Sequence, residues 1–236
     1  RVNACPGAFG SPFRHTPING GSIVRFLLIT LSLLVLAAPA LAEMVNVEII
    51  TEVEYNQVNN GILADVNPGD TVVASFLVDS DNFIDSATYG VRSYPIDLAS
   101  FQVTLGSVGP VGLVIPQPDD ATVYFVVRES DPVSDGFFLS AIAEWPWVNP
   151  FLDIPAQLDP YFGYKYEVGY NGDTLSSRDI LDAAGSYGYD GIESFYVGLQ
   201  DSWADAMGCI LVQTVITPQS VPVEGTSWGN VKSLYR

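Results

Sequence analysis

Val45-Asn46-Val47-Glu48-Ile49-Ile50-Thr51-Glu52-Val53-Glu54-Tyr55 decides the fold class of this chain. Val45, Val47, Ile49, Thr51, Val53 and Tyr55 alternate with Asn46, Glu48, Ile50, Glu52 and Glu54, and a period of two gives a strand with one apolar and one wet face. Pro68-Gly69-Asp70 then reads as a turn and residues 71–79 as the next strand. Similar runs follow at 101–105, 111–115, 122–128, 137–144, 194–200 and 209–217, separated by Gly, Pro, Asn and Asp. Short alternating strands punctuated by turns predict two packed antiparallel sheets, an all-β sandwich or jelly roll, rather than a βαβ fold. The one helical candidate is the connector at 177–184, with Ser176 or Ser177 as its cap. Between about Trp145 and Tyr170 the pattern loosens into Pro- and aromatic-rich sequence, which reads as a long loop with a short hairpin.

Upstream of the first strand, Arg25 leads the apolar run 26–36, which closes on Ala40-Leu41-Ala42 before Glu43. A positive charge, a short apolar stretch and a small-x-small site are the parts of a secretory signal peptide, with cleavage between Ala42 and Glu43. The competing reading is a membrane-spanning helix, since apolar character extends from Ile23 to Leu41, against the ~20 residues a span needs. Pro39 and the strand pattern that begins at once after Ala42 favour cleavage. The expected organisation is therefore 1–22 upstream of the fold, with translation starting near Val24, a signal peptide at 23–42, a sandwich domain at 43–217, and a linker and tail at 218–236. The protein is expected to be exported, to the cell envelope or beyond it.

The chain carries nine basic and 27 acidic residues, a formal charge of −18. Residues 1–42 hold Arg1, Arg14 and Arg25 and no carboxylate; nine basic residues less these three leave six against 27, a formal charge of −21. Such a surface repels nucleic-acid phosphates and anionic lipid, so neither is an expected partner, and it favours solubility and cations. Only Cys209 remains after processing, so no intramolecular disulfide is available, and its apolar neighbours make it a small buried hydrophobe. The single histidine, His15, lies upstream of the signal, which removes the imidazole that Ser-His-Asp catalysis, Cys-His catalysis and His-ligated zinc require. Gly225-Thr226-Ser227-Trp228-Gly229 has nucleophile-elbow spacing but no strand-turn-helix around it and no base downstream.

Gly69-Asp70-Thr71 before the strand 72–79, the acidic loop after it, and Asp190-Gly191-Ile192-Glu193-Ser194-Phe195 running into Gln200-Asp201 and Ala206-Met207-Gly208 resemble secreted domains of bacterial proteins with the PEP-CTERM sorting signal. The resemblance covers most of residues 45–217 and implies export and envelope association rather than a particular activity. That family's C-terminal signal has a Val-Pro-Glu-Pro motif, a transmembrane helix and a basic end. Val221-Pro222-Val223-Glu224 matches it in part, and residues 226–236 are too short and polar to span a membrane, so no stable span is expected in the mature chain.

Carboxylates carry what chemistry remains. Asp79-Ser80-Asp81-Asn82-Phe83-Ile84-Asp85 places oxygens at alternate loop positions, as a hard cation such as Ca²⁺ requires, and Asp79, Asp81 and Asp85 are the expected ligands. The loop is not an EF-hand, because Gly is absent at its sixth place and position 90 is Gly90 where Glu would stand. Asp131-Pro132-Val133-Ser134-Asp135-Gly136 and Asn171-Gly172-Asp173 are further oxygen-rich turns. Trp145, Trp147, Tyr161, Tyr164 and Tyr166 offer flat faces for sugar rings, with core filling as the alternative use of the same residues. Glu129 and Glu144 are the pair that a carboxylate-based glycosidase would use. The leading expectation is an exported, non-catalytic β-sandwich with a structural or ligand-binding role. A Ca²⁺-assisted module for extracellular polysaccharide and a glycoside hydrolase are the rivals.

Overall fold

The computed structural model describes residues 43–106, 108–129, 134–143, 148–155, 162–201 and 204–219. Residues 1–42, which include the segment read as a signal peptide, Glu144, Trp145, Trp147, Tyr161 and everything beyond 219 lie outside them. The described chain is all-β, with strands β1 (Met44–Asn56), β2 (Thr71–Asp79), β3 (Ile84–Asp85), β4 (Val91–Pro95), β5 (Gln102–Leu105), β6 (Gly109–Leu113) and β7 (Tyr124–Arg128) in its first half. The second half adds β8 (Ser134–Ser140), β9 (Leu152–Asp153), β10 (Gly163–Asn171), β11 (Gly185–Gly188), β12 (Ile192–Asp201) and β13 (Ala204–Pro218). All pairings are antiparallel, in the order β3-β4-β7-β8-β10-β12-β13-β1-β2-β5-β6-β9, with β11 also on β13. No described helix is long and apolar enough to cross a membrane.

This single path curls until its two halves face each other. Past β4, the Ile96 N–H reaches Val123 O and the Asp97 N–H reaches Leu77 O, each at 2.9 Å, and Ile96 bridges to Val78 at the end of β2. At the other extreme Phe151 bridges to Gly163 at the start of β10, with the Tyr164 N–H on Pro150 O at 2.8 Å. The faces turned inward are those the alternation marks: Val45, Val47, Ile49, Thr51 and Val53 of β1 are all buried. Tyr55 breaks the phase. A bulge between Val53 and Tyr55 sets Tyr55 opposite Gly208, where a β-carbon would come within 2.3 Å of the tyrosine ring.

Aromatic rings join the two halves. Phe76 of β2 lies 5.7 Å from Phe101 and 5.6 Å from Phe125 of β7, and Phe125 stacks on Phe137 of β8 at 5.7 Å. Rings at such separations gain about 0.5–1.5 kcal/mol beyond the area they bury. The stretch 163–171 corrects the loop reading. It is a nine-residue interior strand, with Tyr164, Tyr166, Val168 and Tyr170 buried and Lys165, Glu167 and Gly169 on the other face. Tyrosine hides the alternation, because its ring is an inward residue while its hydroxyl scores as polar. The Tyr166 hydroxyl meets Thr214 Oγ1 at 2.7 Å, and burial pushes its pKa well above the ordinary phenol value.

The helix expected at 177–184 is replaced by a connector with one turn, in which the Ala183 N–H donates to Asp179 O at 2.9 Å. Ser177 does cap, its Oγ accepting the Asp179 N–H at 3.0 Å. Eight residues are too few to offset helix nucleation, and Tyr94 fixes the backbone otherwise. The Tyr94 hydroxyl donates to Arg178 O at 3.0 Å and accepts from the Ile180 N–H at 2.9 Å, which holds buried Ile180 against the core.

Arg92 of β4 clasps the hairpin that carries β3. Its Nε and Nη2 donate to the two Asp85 oxygens at 2.7 and 3.0 Å, and its Cζ lies 3.9 Å from the Phe83 ring centroid. Hydrogen bonding to Arg92 holds the Asp85 carboxyl below its ordinary value. A lowered pKa means the clasp contributes fully above the unfolded-state value of about 3.9 and is lost as pH falls through the folded value. Asp85→Asn is therefore expected to lower the urea midpoint slightly at neutral pH and to match the parent chain in acid below Asp85's folded pKa. Paired urea titrations at the two pH values check this.

Candidate functional site

At one end of the sandwich a cleft of about 360 Å³ opens between the 117–121 turn, Ala141 and Ile142 after β8, and the approach to β9 at Val148 and Phe151. Gln117 builds it. Its side chain is buried, its Nε2 donates to Val114 O at 2.7 Å and Phe151 O at 3.0 Å, and its Oε1 accepts the Phe151 N–H at 2.8 Å. One amide thus fixes two walls that are 34 residues apart. The next turn, Pro118–Asp120, holds both aspartates in the left-handed region, Asp119 at φ 58° and Asp120 at φ 53°. Aspartate tolerates that region better than most residues, and non-glycine residues so held concentrate at binding sites. Asp119 lines the cleft from there, the only charged side chain among the described lining residues. The remaining walls are chiefly apolar: Pro118, Ala121, Ala141, Ile142, Val148 and Phe151. The volume lies in the range of small-molecule sites, which pair apolar walls with few polar groups.

A second hollow, about 140 Å³, lies where β12 parts from β13, beside Glu54, Tyr55, Lys165, Tyr196 and the facing pair Gly198 and Gly208. Lys165 Nζ sits 4.0 Å from the Tyr196 ring centroid, so the cation already covers that aromatic face. This hollow is below the size of an ordinary ligand site.

The residues expected from sequence are distributed unevenly around these features. Tyr164 is buried to 1% exposure and Tyr166 equally so, and these two rings fill the core instead of meeting a sugar. Trp145, Trp147 and Tyr161 fall outside the described residues, although Val148 and Phe151 of the same segment line the larger cleft. Asp79, Asp81 and Asp85 share one hairpin without forming a ligand set: Asp79 Oδ1 accepts the Asp81 N–H at 2.9 Å, Asp81 is exposed, and Asp85 is turned to Arg92. Among the described residues no group of three or more His, Cys, Asp or Glu is arranged to hold a metal ion. Asp135 is buried and accepts the Leu175 N–H at 2.6 Å, which gives it a structural task. Glu129 is described, but Glu144 is not, and the glycosidase pair has no geometry. Cys209 is buried as expected, and burial pushes its thiol up to about 11.

Sequence reading missed the cleft. Gln117 has the signal of an ordinary turn residue, and only its two bonds to Phe151, 34 residues on, show its role. Comparison with protein-family models, with curated proteins and with solved structures gives no match for this chain.

Proposed function

We propose that this is an exported, non-catalytic β-sandwich protein that binds a neutral, ring-bearing, hydroxylated molecule in the Gln117–Phe151 cleft, the sugar unit of an extracellular or envelope polysaccharide being the leading example. The cleft's lining carries the reading. Apolar walls suit the ring faces of such a molecule, and the Asp119 carboxylate accepts hydrogen bonds from its hydroxyls. Among the described residues the lining offers no cation to a phosphate or carboxylate ligand, and the charge of the whole chain opposes anions. No described histidine or cysteine nucleophile meets the cleft, and Asp119 is its single described carboxylate, which favours binding over acid-base chemistry. Export rests on the signal-type segment 23–42 and on the resemblance to secreted PEP-CTERM-type domains.

Saturation-transfer NMR with methyl glucoside and cyclohexanol tests this reading. Transfer to both probes is expected in the parent chain. Ala121→Trp, which fills the cleft, is expected to abolish it, while Ile210→Thr on the outer face of β13 keeps it. Absence of transfer in the parent chain, or its survival in Ala121→Trp, would defeat the proposal.

A further inference from the structure

Two Asn-Gly dipeptides lie among the described residues, Asn60-Gly61 and Asn171-Gly172, and the fold holds them very differently. Asn60 and Gly61 are both exposed, in the connection that follows β1. The Asn60 side chain has one long contact, its Nδ2 to Asn59 Oδ1 at 3.4 Å. Among the described residues no acceptor meets the Gly61 N–H. Gly61 itself stands at φ 64°, ψ −166°, a backbone shape open to glycine and to few other residues. Asn171, by contrast, is the last residue of β10, in register with Ser134 of β8, and its N–H donates to Gly191 O at 3.0 Å. Its main-chain dihedrals are therefore set by pairing on both sides.

We infer that Asn60 is a site of spontaneous, intramolecular deamidation in the folded protein and that Asn171 is protected by its strand. The Gly61 nitrogen loses its proton to solvent base and attacks Asn60 Cγ. The new N–Cγ bond closes a five-membered succinimide as the Cγ–Nδ2 bond breaks and the side-chain nitrogen leaves as ammonia. Water then opens the ring at either carbonyl, leaving aspartate or isoaspartate. The net change is amide plus water to carboxylate plus ammonium, with no electrons exchanged. Glycine matters because no side chain blocks the approach of its nitrogen, and a free loop matters because Asn60 must rotate its backbone to bring Cγ to that nitrogen. A residue locked in a ladder cannot make that rotation without breaking its hydrogen bonds.

The fold tolerates the product. Asn56 ties the root of this loop, its Nδ2 donating to Leu63 O at 2.7 Å and Val66 O at 2.8 Å while its Oδ1 accepts the Val58 N–H at 2.9 Å. Position 60 is outside that knot, so one more negative charge, or one more methylene in the main chain, leaves buried Leu63 and Val66 in place. The protein thus gains acidic charge variants with age while its melting temperature stays the same.

Peptide mapping by mass spectrometry after incubation in mildly alkaline buffer reads both sites in one sample. In the native protein the Asn60 peptide is expected to gain the mass of an amide-to-acid exchange at least several-fold faster than the Asn171 peptide. In urea the two rates are expected to converge. Asn60→Gln should remove the leading acidic band on native isoelectric focusing. Equal rates at the two sites in the native state, or an Asn60 that converts in urea but not in the folded chain, would overturn the inference.

Discussion

Replacing Phe125 with alanine is expected to lower the unfolding free energy by about 3–5 kcal/mol, a large share of the roughly 5–15 kcal/mol that holds an ordinary domain together. Phe125 is fully buried and stands between the Phe76 ring of the facing half and the Phe137 ring of the neighbouring strand. Removing it opens a cavity at the seam of the sandwich. Backbone on both sides is tied into long ladders, so the walls cannot collapse to fill the space. Urea denaturation should show a lower midpoint with an unchanged slope. Tyr196→Ala, which removes a ring 52% exposed on the outer face, should shift stability by only about 0.5 kcal/mol.

The second large effect comes from adding atoms. Gly136→Ala in β8 is expected to cost about 3 kcal/mol or more, because its β-carbon would stand 2.0 Å from Val168 O and 3.1 Å from Gly169 Cα of β10. Neither obstacle can swing aside, since both belong to the backbone of the paired strand. Gly169→Ala offers the contrast. Its β-carbon would meet Ser194 Oγ at 2.8 Å and Arg128 Nη2 at 2.9 Å, ends of side chains that can rotate away. Its expected cost is about 1 kcal/mol, chiefly from disturbing the 3.6 Å ion pair between Arg128 and Glu167. Thermal melts separate the two variants, at about 2–4 °C per kcal/mol for a domain of this size.

Fold class was legible because β1 alternates between apolar and polar residues along most of its length. The turn at Pro68-Gly69-Asp70 ended where the second strand begins, and Thr71–Asp79 was read to its limits. Strand β10 was concealed by tyrosines, whose burial depends on partners such as Thr214 and the Gly188 carbonyl that no local pattern reveals. Strand β4 was passed over for a related reason. Arg92 and Pro95 interrupt its apolar character, yet Arg92 is satisfied by Asp85 and Asp179, from hairpin and connector. The cleft was illegible altogether, since its walls come from three segments and its keystone is a glutamine. Asp79, Asp81 and Asp85 showed the opposite weakness. Their spacing was evident, but spacing does not say that Asp85 faces a guanidinium.

The way the strand path seals its own ends bears on how one copy of the protein meets another. Its terminal strands, β3 and β9, are only two residues long, and the longer strands behind them are paired. A neighbouring molecule finds little unpaired main chain there on which to add itself, and long open margins are what seed fibrils and swapped assemblies. Ends this short therefore leave few places along the path where the main chain of one copy can add to that of another.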